Sequence, residues 1–259
     1  MATAAVVLAV VAAGAATAAG HGRRWTPPAL LSYAWQLQGR LDMHVDASVY
    51  DVDGFGTTAA QVARLHANGR RVICYIDVGT WENWRPDAGT FPKSLLGNPN
   101  GWPGERWLDI RRLSALAPIM TRRLQMCARK RFDGVEGDNI DPLGNDPGFP
   151  ITRAQVIRYA RWFAREAHRL GLAVLQKNGP ELVGALEPYF DGALVEQCSE
   201  YGECGAFMPY VRAGKPVVDA EYERRLYPGF CAADRRRGIS GALYDLALDG
   251  RLYRPCPAR

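Results

Sequence analysis

From Trp35 onward, short runs of apolar residues alternate with longer stretches in which apolar residues recur every three or four positions. Runs of the first kind read as buried strands, and stretches of the second kind as helices with one buried face. The predicted strands are AWQLQ (34–38), SVYDV (48–52), RVICYID (71–77) and GVEGD (134–138), followed by AVLQK (173–177), GALVEQ (192–197), PVVDAE (216–221) and GALYD (241–245). Helical patterns lie between most of them. TAAQVARLHANG stops on a glycine, and LAPIMTRRLQMCARKR places Leu116, Ile119, Met120 and Leu124 on one face. TRAQVIRYARWFAREAHRLG opens on Thr152 and closes on Gly171, with Val156, Tyr159, Phe163 and Ala167 as its stripe. Strands separated by helices pair in parallel. Eight such strands in about 210 residues predict an α/β fold, a single-domain (β/α)8 TIM barrel rather than an open doubly wound sheet. DGFGTTAA lacks the third glycine of a dinucleotide fingerprint, so no nucleotide cofactor is expected.

In such barrels the active site lies at the C-terminal ends of the strands. Those ends are acidic or polar here: Asp51 and Asp53 after the second strand, Asp77 after the third, Asp138 and Asp141 after the fourth. Lys177 and Asn178 follow the fifth, Glu196 and Gln197 the sixth, Glu221 the seventh and Asp245 the eighth. The opposite ends, such as GRRVI and GKPVV, are basic or neutral, so the carboxylates gather on one rim. This bears on the stretch FDGVEGDNIDP, where Asp133, Glu136, Asp138 and Asp141 crowd a strand-like pattern. Taken alone, it reads equally well as a surface turn rich in Asp, Asn and Gly. On an acidic barrel rim it reads as a catalytic strand end, because charges are rarely buried unless paired or used.

Glycoside hydrolysis needs two carboxyl groups in different protonation states. Asp138 and Glu196 each end a strand, two strands apart, which is compatible with a retaining pair about 5 to 5.5 Å apart. Glu136 shares the face of Asp138 one step deeper, and repulsion between the two should raise the pKa of one. Trp81 and Trp84 in GTWENW, with Tyr50, Tyr75, Tyr201 and Tyr222 near other strand ends, are candidates for stacking on sugar. Trp84 is the favoured platform. No GxSxG occurs and no histidine ends a strand, which argues against a Ser-His-Asp hydrolase.

Composition narrows the rest. The 259 residues, 47% hydrophobic and 23% charged, suffice for the core of one large domain. Residues 1–20 carry no charge, are rich in Ala and Val, and end near ATA, as a secretory signal does. No Lys or Arg precedes the apolar run, so an N-terminal membrane anchor is the alternative; the catalytic domain is expected over 26–259. Six cysteines suit a secreted protein and allow fifteen pairings, with Cys198 and Cys204 near enough to close a small loop and buried free thiols as the alternative. No cysteine pair has zinc-site spacing and the four histidines do not cluster, so no metal is expected. The net charge of +5 comes from scattered arginine pairs with no aromatic interleaving, so no nucleic-acid partner is expected either. A monomer without an obligate protein partner is anticipated.

The segments WQLQG, YDVDGFGT, VICYIDVGTWENWRPD, FDGVEGDNIDP, KNGPEL, VEQCSEYGEC and DAEY resemble, in order, those of glycoside hydrolase family 114, the endo-α-1,4-polygalactosaminidases. They run from Trp35 to about Tyr222, most of the chain. The resemblance implies a (β/α)8 fold and endo-cleavage of α-1,4-linked galactosamine polymers, with Asp138 as nucleophile and Glu196 as general acid/base. One departure is Gly137, where proline is expected before the Asp-Asn pair. An acidic groove would suit a polysaccharide with free amines. Asp51, Asp53, Asp77 and Glu221 are then expected to hold ammonium or hydroxyl groups. Asn139, Lys177 and Asn178 would orient the reacting sugar, with Tyr75, Trp84 and Tyr201 as further contacts. The basic outer surface would favour anionic cell envelopes. Two alternatives stand beside this reading: a hydrolase of a different α-linked glycan, and a carbohydrate-binding barrel without turnover. A binding protein has no need of the Asp138–Glu196 pair.

Overall fold

The computed structural model describes residues 24–257, so the expected signal or anchor at 1–20 lies outside the described residues. No helix among the described residues is long and apolar enough to cross a membrane. The chain runs through β1 (Tyr33–Gln36), β2 (Val49–Asp53), α1 (Ala59–Ala67) and β3 (Arg71–Asp77) into an insertion of three short strands. These are β4 (Thr80–Glu82), β5 (Leu96–Pro99) and β6 (Glu105–Leu108). There follow α2 (Leu113–Arg129), β7 (Gly134–Asp138), α3 (Arg153–Arg169), β8 (Ala173–Lys177), α4 (Val183–Leu186) and β9 (Gly192–Glu196). The last third holds α5 (Cys198–Tyr201), α6 (Met208–Arg212), β10 (Val217–Glu221), α7 (Gly229–Arg237), β11 (Ser240–Tyr244) and β12 (Tyr253–Pro255).

All eight expected strands form, and β3, β7 and β8 have the expected ends. They pair in parallel in the order β1-β2-β3-β7-β8-β9-β10-β11, and β12 adds antiparallel to β11. This is a TIM barrel, with a seam that the sequence reading does not contain. Among the described residues no ladder joins β11 to β1. β12 packs against β1 there, Tyr244 Oη donates to the Tyr33 carbonyl, and Leu31 N–H donates to Ser240 Oγ at 3.1 Å. The insertion forms a separate antiparallel sheet, β4-β6-β5, beside the C-terminal rim. Its strands are too short, and too interrupted by Gly and Pro, to show a period in sequence.

Strand alternation divides the core in two. Val72, Cys74 and Ile76 of β3 face the helices, in one cluster with Leu116, Phe163 and Val174. Ile73, Leu175, Leu194, Val218 and Tyr244 fill the barrel interior. Helices α1 and α3 both begin with a capping box, Thr58 with Gln61 and Thr152 with Gln155. All six cysteines pair, Cys74–Cys127, Cys198–Cys204 and Cys231–Cys256, so the free-thiol alternative falls and the small loop closes as expected. The first of these ties β3 to α2.

Gly137 faces the helix layer, where a Cβ would sit 2.7 Å from Phe163 Cε1. Glycine stands at this position because the ring of α3 already occupies the space. Gly137→Ala should therefore lower stability by about 1–3 kcal/mol through overpacking, read as a fall in the denaturant midpoint. Adding Phe163→Leu should recover part of the loss. Simple addition of the two penalties would mean that the ring is not what excludes the methyl group.

Candidate active site

Three adjacent strands deliver the charged centre. β7 supplies Glu136 and Asp138, β8 supplies Lys177, and β9 supplies Glu196, all on inward-facing positions. Lys177 is 3% exposed, and its Nζ lies 2.8 Å from Glu136 Oε1, 2.9 Å from Asp138 Oδ1 and 3.2 Å from Glu196 Oε2. An ammonium has three hydrogens, so each carboxylate can take one. The Trp35 ring lies against the same nitrogen, 4.6 Å from ring centroid to Nζ. Because both oxygens touch one atom, Asp138 Oδ1 and Glu196 Oε2 are at most about 6 Å apart, short of the roughly 6.5 Å at which inverting pairs begin.

Neutral donors complete the coordination of these two carboxylates. Tyr75 Oη donates to Asp138 Oδ2 at 2.8 Å. Tyr222 Oη donates to Glu196 Oε1 at 2.5 Å, and Asn178 Nδ2 to Glu196 Oε2 at 3.0 Å. Asn178 Oδ1 in turn accepts the Glu196 N–H at 2.9 Å. The residues just after β7, β8 and β9 are Asn139, Asn178 and Gln197, and all three are left-handed, with φ of 54°, 47° and 58°. Such turns cost a non-glycine residue free energy, least for asparagine. They take the backbone sharply away and leave the charged side chain on the rim. Gly79 passes so close to Asn139 that a Cβ there would collide with its carbonyl oxygen.

Below the rim sits a further carboxyl, Asp51, which accepts from Tyr33 Oη and lies beside Glu136. Burial raises Asp51 to about 6 and pushes Glu136 well above its ordinary value even against Lys177. Burial also works to raise Asp138. The charge and hydrogen bond of Lys177, with the Tyr75 hydroxyl, outweigh it and hold Asp138 below the usual carboxylate range. Lys177 is depressed by burial but raised well above its ordinary value by Asp138, Glu136 and Glu196. The centre thus holds one carboxylate drawn toward its ionised form, one ammonium held in its charged form and, beneath them, two carboxyls that burial drives toward the neutral form.

A cleft of about 780 Å³ opens above it. Of the residues expected at a site, Asp53, Tyr75, Trp84, Asp138, Asn139, Lys177, Asn178 and Glu196 line it. Four expected residues do not. Asp51 faces inward but lies a layer below Asp53, fully buried. Asp77 is also fully buried, where it accepts from the Gly79 and Thr80 N–H groups and from Asn139 Nδ2, fixing the turn into β4. Glu221 is on the helix side of β10, whose inward positions are Val218, Ala220 and Tyr222. There it accepts from the Ser199 and Glu200 N–H groups at the start of α5. Tyr201 is exposed and stands outside the cleft lining. Residues not expected include Trp35, which strand parity could have indicated, and Glu82, Arg85, Trp102 and Glu105 of the insertion. Arg85 bridges Asp53 at 2.6 Å and Glu82 at 2.7 Å. Buried Arg123 of α2 pairs with Asp87 at 2.8 Å and donates to the Asp77 carbonyl at 2.6 Å. These bonds fasten the insertion to the rim. Among the described residues, the one group with metal-ligand spacing is Cys198, Cys204 and Asp219; its sulfurs are joined in a disulfide and offer no thiolate.

The profile of glycoside-hydrolase family GH114 matches residues 14–257. Among solved structures, the chain is similar to Ega3 of Aspergillus fumigatus, solved in complex with galactosamine. The identity is 31% and the TM-score 0.86, over 90% of this chain and 98% of that one. It shares its fold with the glycoside hydrolase domain of PelA from Pseudomonas aeruginosa, at 18% identity and a TM-score of 0.70, over 86% of this chain and 97% of that one. A search of curated protein sequences gave no match.

Removing the central ammonium should have a pH signature. In Lys177→Met, Glu136, Asp138 and Glu196 lose their shared cation, and stability near pH 7 should fall by about 3–5 kcal/mol. Glu136 and Asp138, stranded without it, would then have folded pKa values raised above about 4, their unfolded range. A raised group contributes stability that is present below its unfolded pKa and lost as pH rises through the folded one. The deficit relative to wild type should therefore be smaller at pH 5 than at pH 8 in chemical denaturation. An equal deficit at both would show that Lys177 does not compensate these groups.

Proposed function

The chain belongs to glycoside-hydrolase family GH114 and is a glycosidase, and from that premise we propose that it cuts α-1,4-linked, galactosamine-containing polysaccharide internally, with retention, using Asp138 and Glu196. The observation that carries the assignment of residues is the shared Lys177 ammonium, which keeps both carboxylates within reach of one sugar and holds Asp138 ionised. Asp138 is the nucleophile. Glu196 is farther from the ammonium and more open to solvent, 27% against 19% for Asp138, as suits a group that must release and regain a proton. In the first step Asp138 attacks the anomeric carbon while Glu196 gives its proton to the departing glycosidic oxygen, forming a glycosyl ester. In the second, Glu196 takes a proton from water, the water oxygen attacks the same carbon, and the Asp138 carboxylate leaves. Tyr75 and Asn139 hold Asp138 in line, while Tyr222 and Asn178 hold Glu196.

The galactosamine bound by Ega3 supports an aminosugar substrate. Exposed Trp84 and Trp102, 52% and 53% accessible, extend the cleft beyond one sugar, which supports a polymer cut internally. The three disulfides support action outside the cell, with residues 1–20 as the export signal and 26–259 as the catalytic domain.

Purified protein incubated with partly deacetylated α-1,4-galactosamine polymer should release oligosaccharides. Asp138→Asn and Glu196→Gln should each lower kcat by at least about 1000-fold while the chain stays folded. The first product seen by NMR should have the α configuration. A β product would overturn retention, and polymer retained without release would point to a binding protein instead.

A further inference from the structure

Charge neutralisation separates the carboxylates of the cleft into two kinds. Asp138 and Glu196 share Lys177, while Asp53 and Glu82 share Arg85. Asp141, raised to about 6 mainly by burial, lies against Glu181. Glu105 differs from all of these. Its Oε2 accepts from Asn100 Nδ2 at 2.6 Å and from Thr80 Oγ1 at 3.1 Å, both neutral donors. Among the described residues no Lys, Arg or His lies within ion-pairing distance of it, and its Oε1 has no hydrogen-bond partner. The carboxylate is half-buried on β6 and lines the cleft.

Two tryptophans line the same cleft. The Glu105 N–H donates to the Trp102 carbonyl at 3.1 Å, closing a turn that carries the exposed Trp102 ring. The Trp84 ring reaches the adjacent Gly104, where a Cβ would be 2.9 Å from its Cζ3. Indole faces take the C–H face of a sugar, and an unpaired carboxylate beside them takes a charged donor. Glu105 has no cation within ion-pairing distance, and Glu82 adds like charge nearby, so a bound ammonium would supply its missing counter-ion.

We propose that Glu105, with Trp84 and Trp102, forms an aminosugar subsite, in which the carboxylate binds the 2-ammonium of one galactosamine ring and so selects deacetylated over acetylated residues. The inference rests on the galactosamine-polymer reading given above and adds where the amine is read. An N-acetyl group brings no charge and would leave the half-buried carboxylate without a counter-ion, at a cost in binding. Burial, reinforced by Glu82, already pushes the Glu105 carboxyl up, which an ammonium would reverse. The insertion sheet therefore carries the specificity, and the barrel strands carry the bond cleavage.

The test compares the full chain with Glu105→Gln on α-1,4-galactosamine polymers of graded acetylation. On fully deacetylated polymer kcat/KM should fall about 10-fold, and on fully acetylated polymer change by less than about 2-fold. Equal losses on both would overturn the proposal. Wild type alone gives a second reading: products from half-acetylated polymer, sequenced by mass spectrometry, should carry a free amine at one fixed position from the cut. A random pattern would overturn it. Should wild type cut no member of the series, the activity reading fails by itself. Calorimetry with galactosamine oligosaccharides then decides the subsite, since a Kd unchanged by Glu105→Gln would overturn it and a Kd weakened about 10-fold would support it.

Discussion

A primary amine nearly sealed from water, with carboxylates on three sides, sets the charge state of this barrel. Lys177 does not earn its place through stability alone, because burying an ion pair loses much in hydration of what it gains in attraction. Its effect is on geometry and proton count. It draws the ends of β7, β8 and β9 to a common point and holds Asp138 toward its ionised form, while burial raises Asp51 and Glu136 below. The left-handed turns at Asn139, Asn178 and Gln197 serve the same end, since each removes the backbone from above the group it follows. The electrostatic centre and the strand ends are one construction.

The periodic parts of this arrangement are legible in the sequence. RVICYID, GVEGD and AVLQK read directly as β3, β7 and β8, and the acidic ends of GVEGD and GALVEQ point to Asp138 and Glu196 as a pair. Position along a strand is a weaker guide than parity across it. Glu221 ends its strand, yet Val218, Ala220 and Tyr222 hold the inward positions, so Glu221 turns to the helices and Tyr222 enters the cleft. Asp51 has the right parity at the wrong depth, and Asp77 is taken up by the turn that follows it. The insertion sheet leaves almost no periodic trace, because strands of three or four residues complete no more than two alternations. Trp102 and Glu105 therefore carry no periodic signal, although GTWENW places aromatic residues nearby.

The insertion is not a loosely attached flap. Arg85 and Arg123 bind Asp53, Glu82, Asp87 and the Asp77 carbonyl, and both guanidinium groups lie over the Phe55 ring. Lys130 adds three bonds to the Gly54, Phe55 and Thr57 carbonyls, stiffening the loop beneath that ring. A wall held by so many charge-assisted bonds keeps its side chains in fixed relation to the reacting centre. Loops that position a substrate gain most from such attachment, since freedom lost before binding is not lost again during it.

The seam between β11 and β1 has a consequence for synthesis of the chain. Seven barrel strands can pair with their neighbours as they emerge, but β12 covers the last junction only after Tyr253–Pro255 has been made. Until then β11 presents an unpaired backbone edge beside β1, the kind of surface on which chains add to one another. The Cys231–Cys256 bridge joins the helix before β11 to the residue after β12, so oxidation locks that final stave in place. The moment of greatest exposure to aggregation thus falls between completion of the eighth strand and formation of the last disulfide, a short interval best spent where oxidants are at hand.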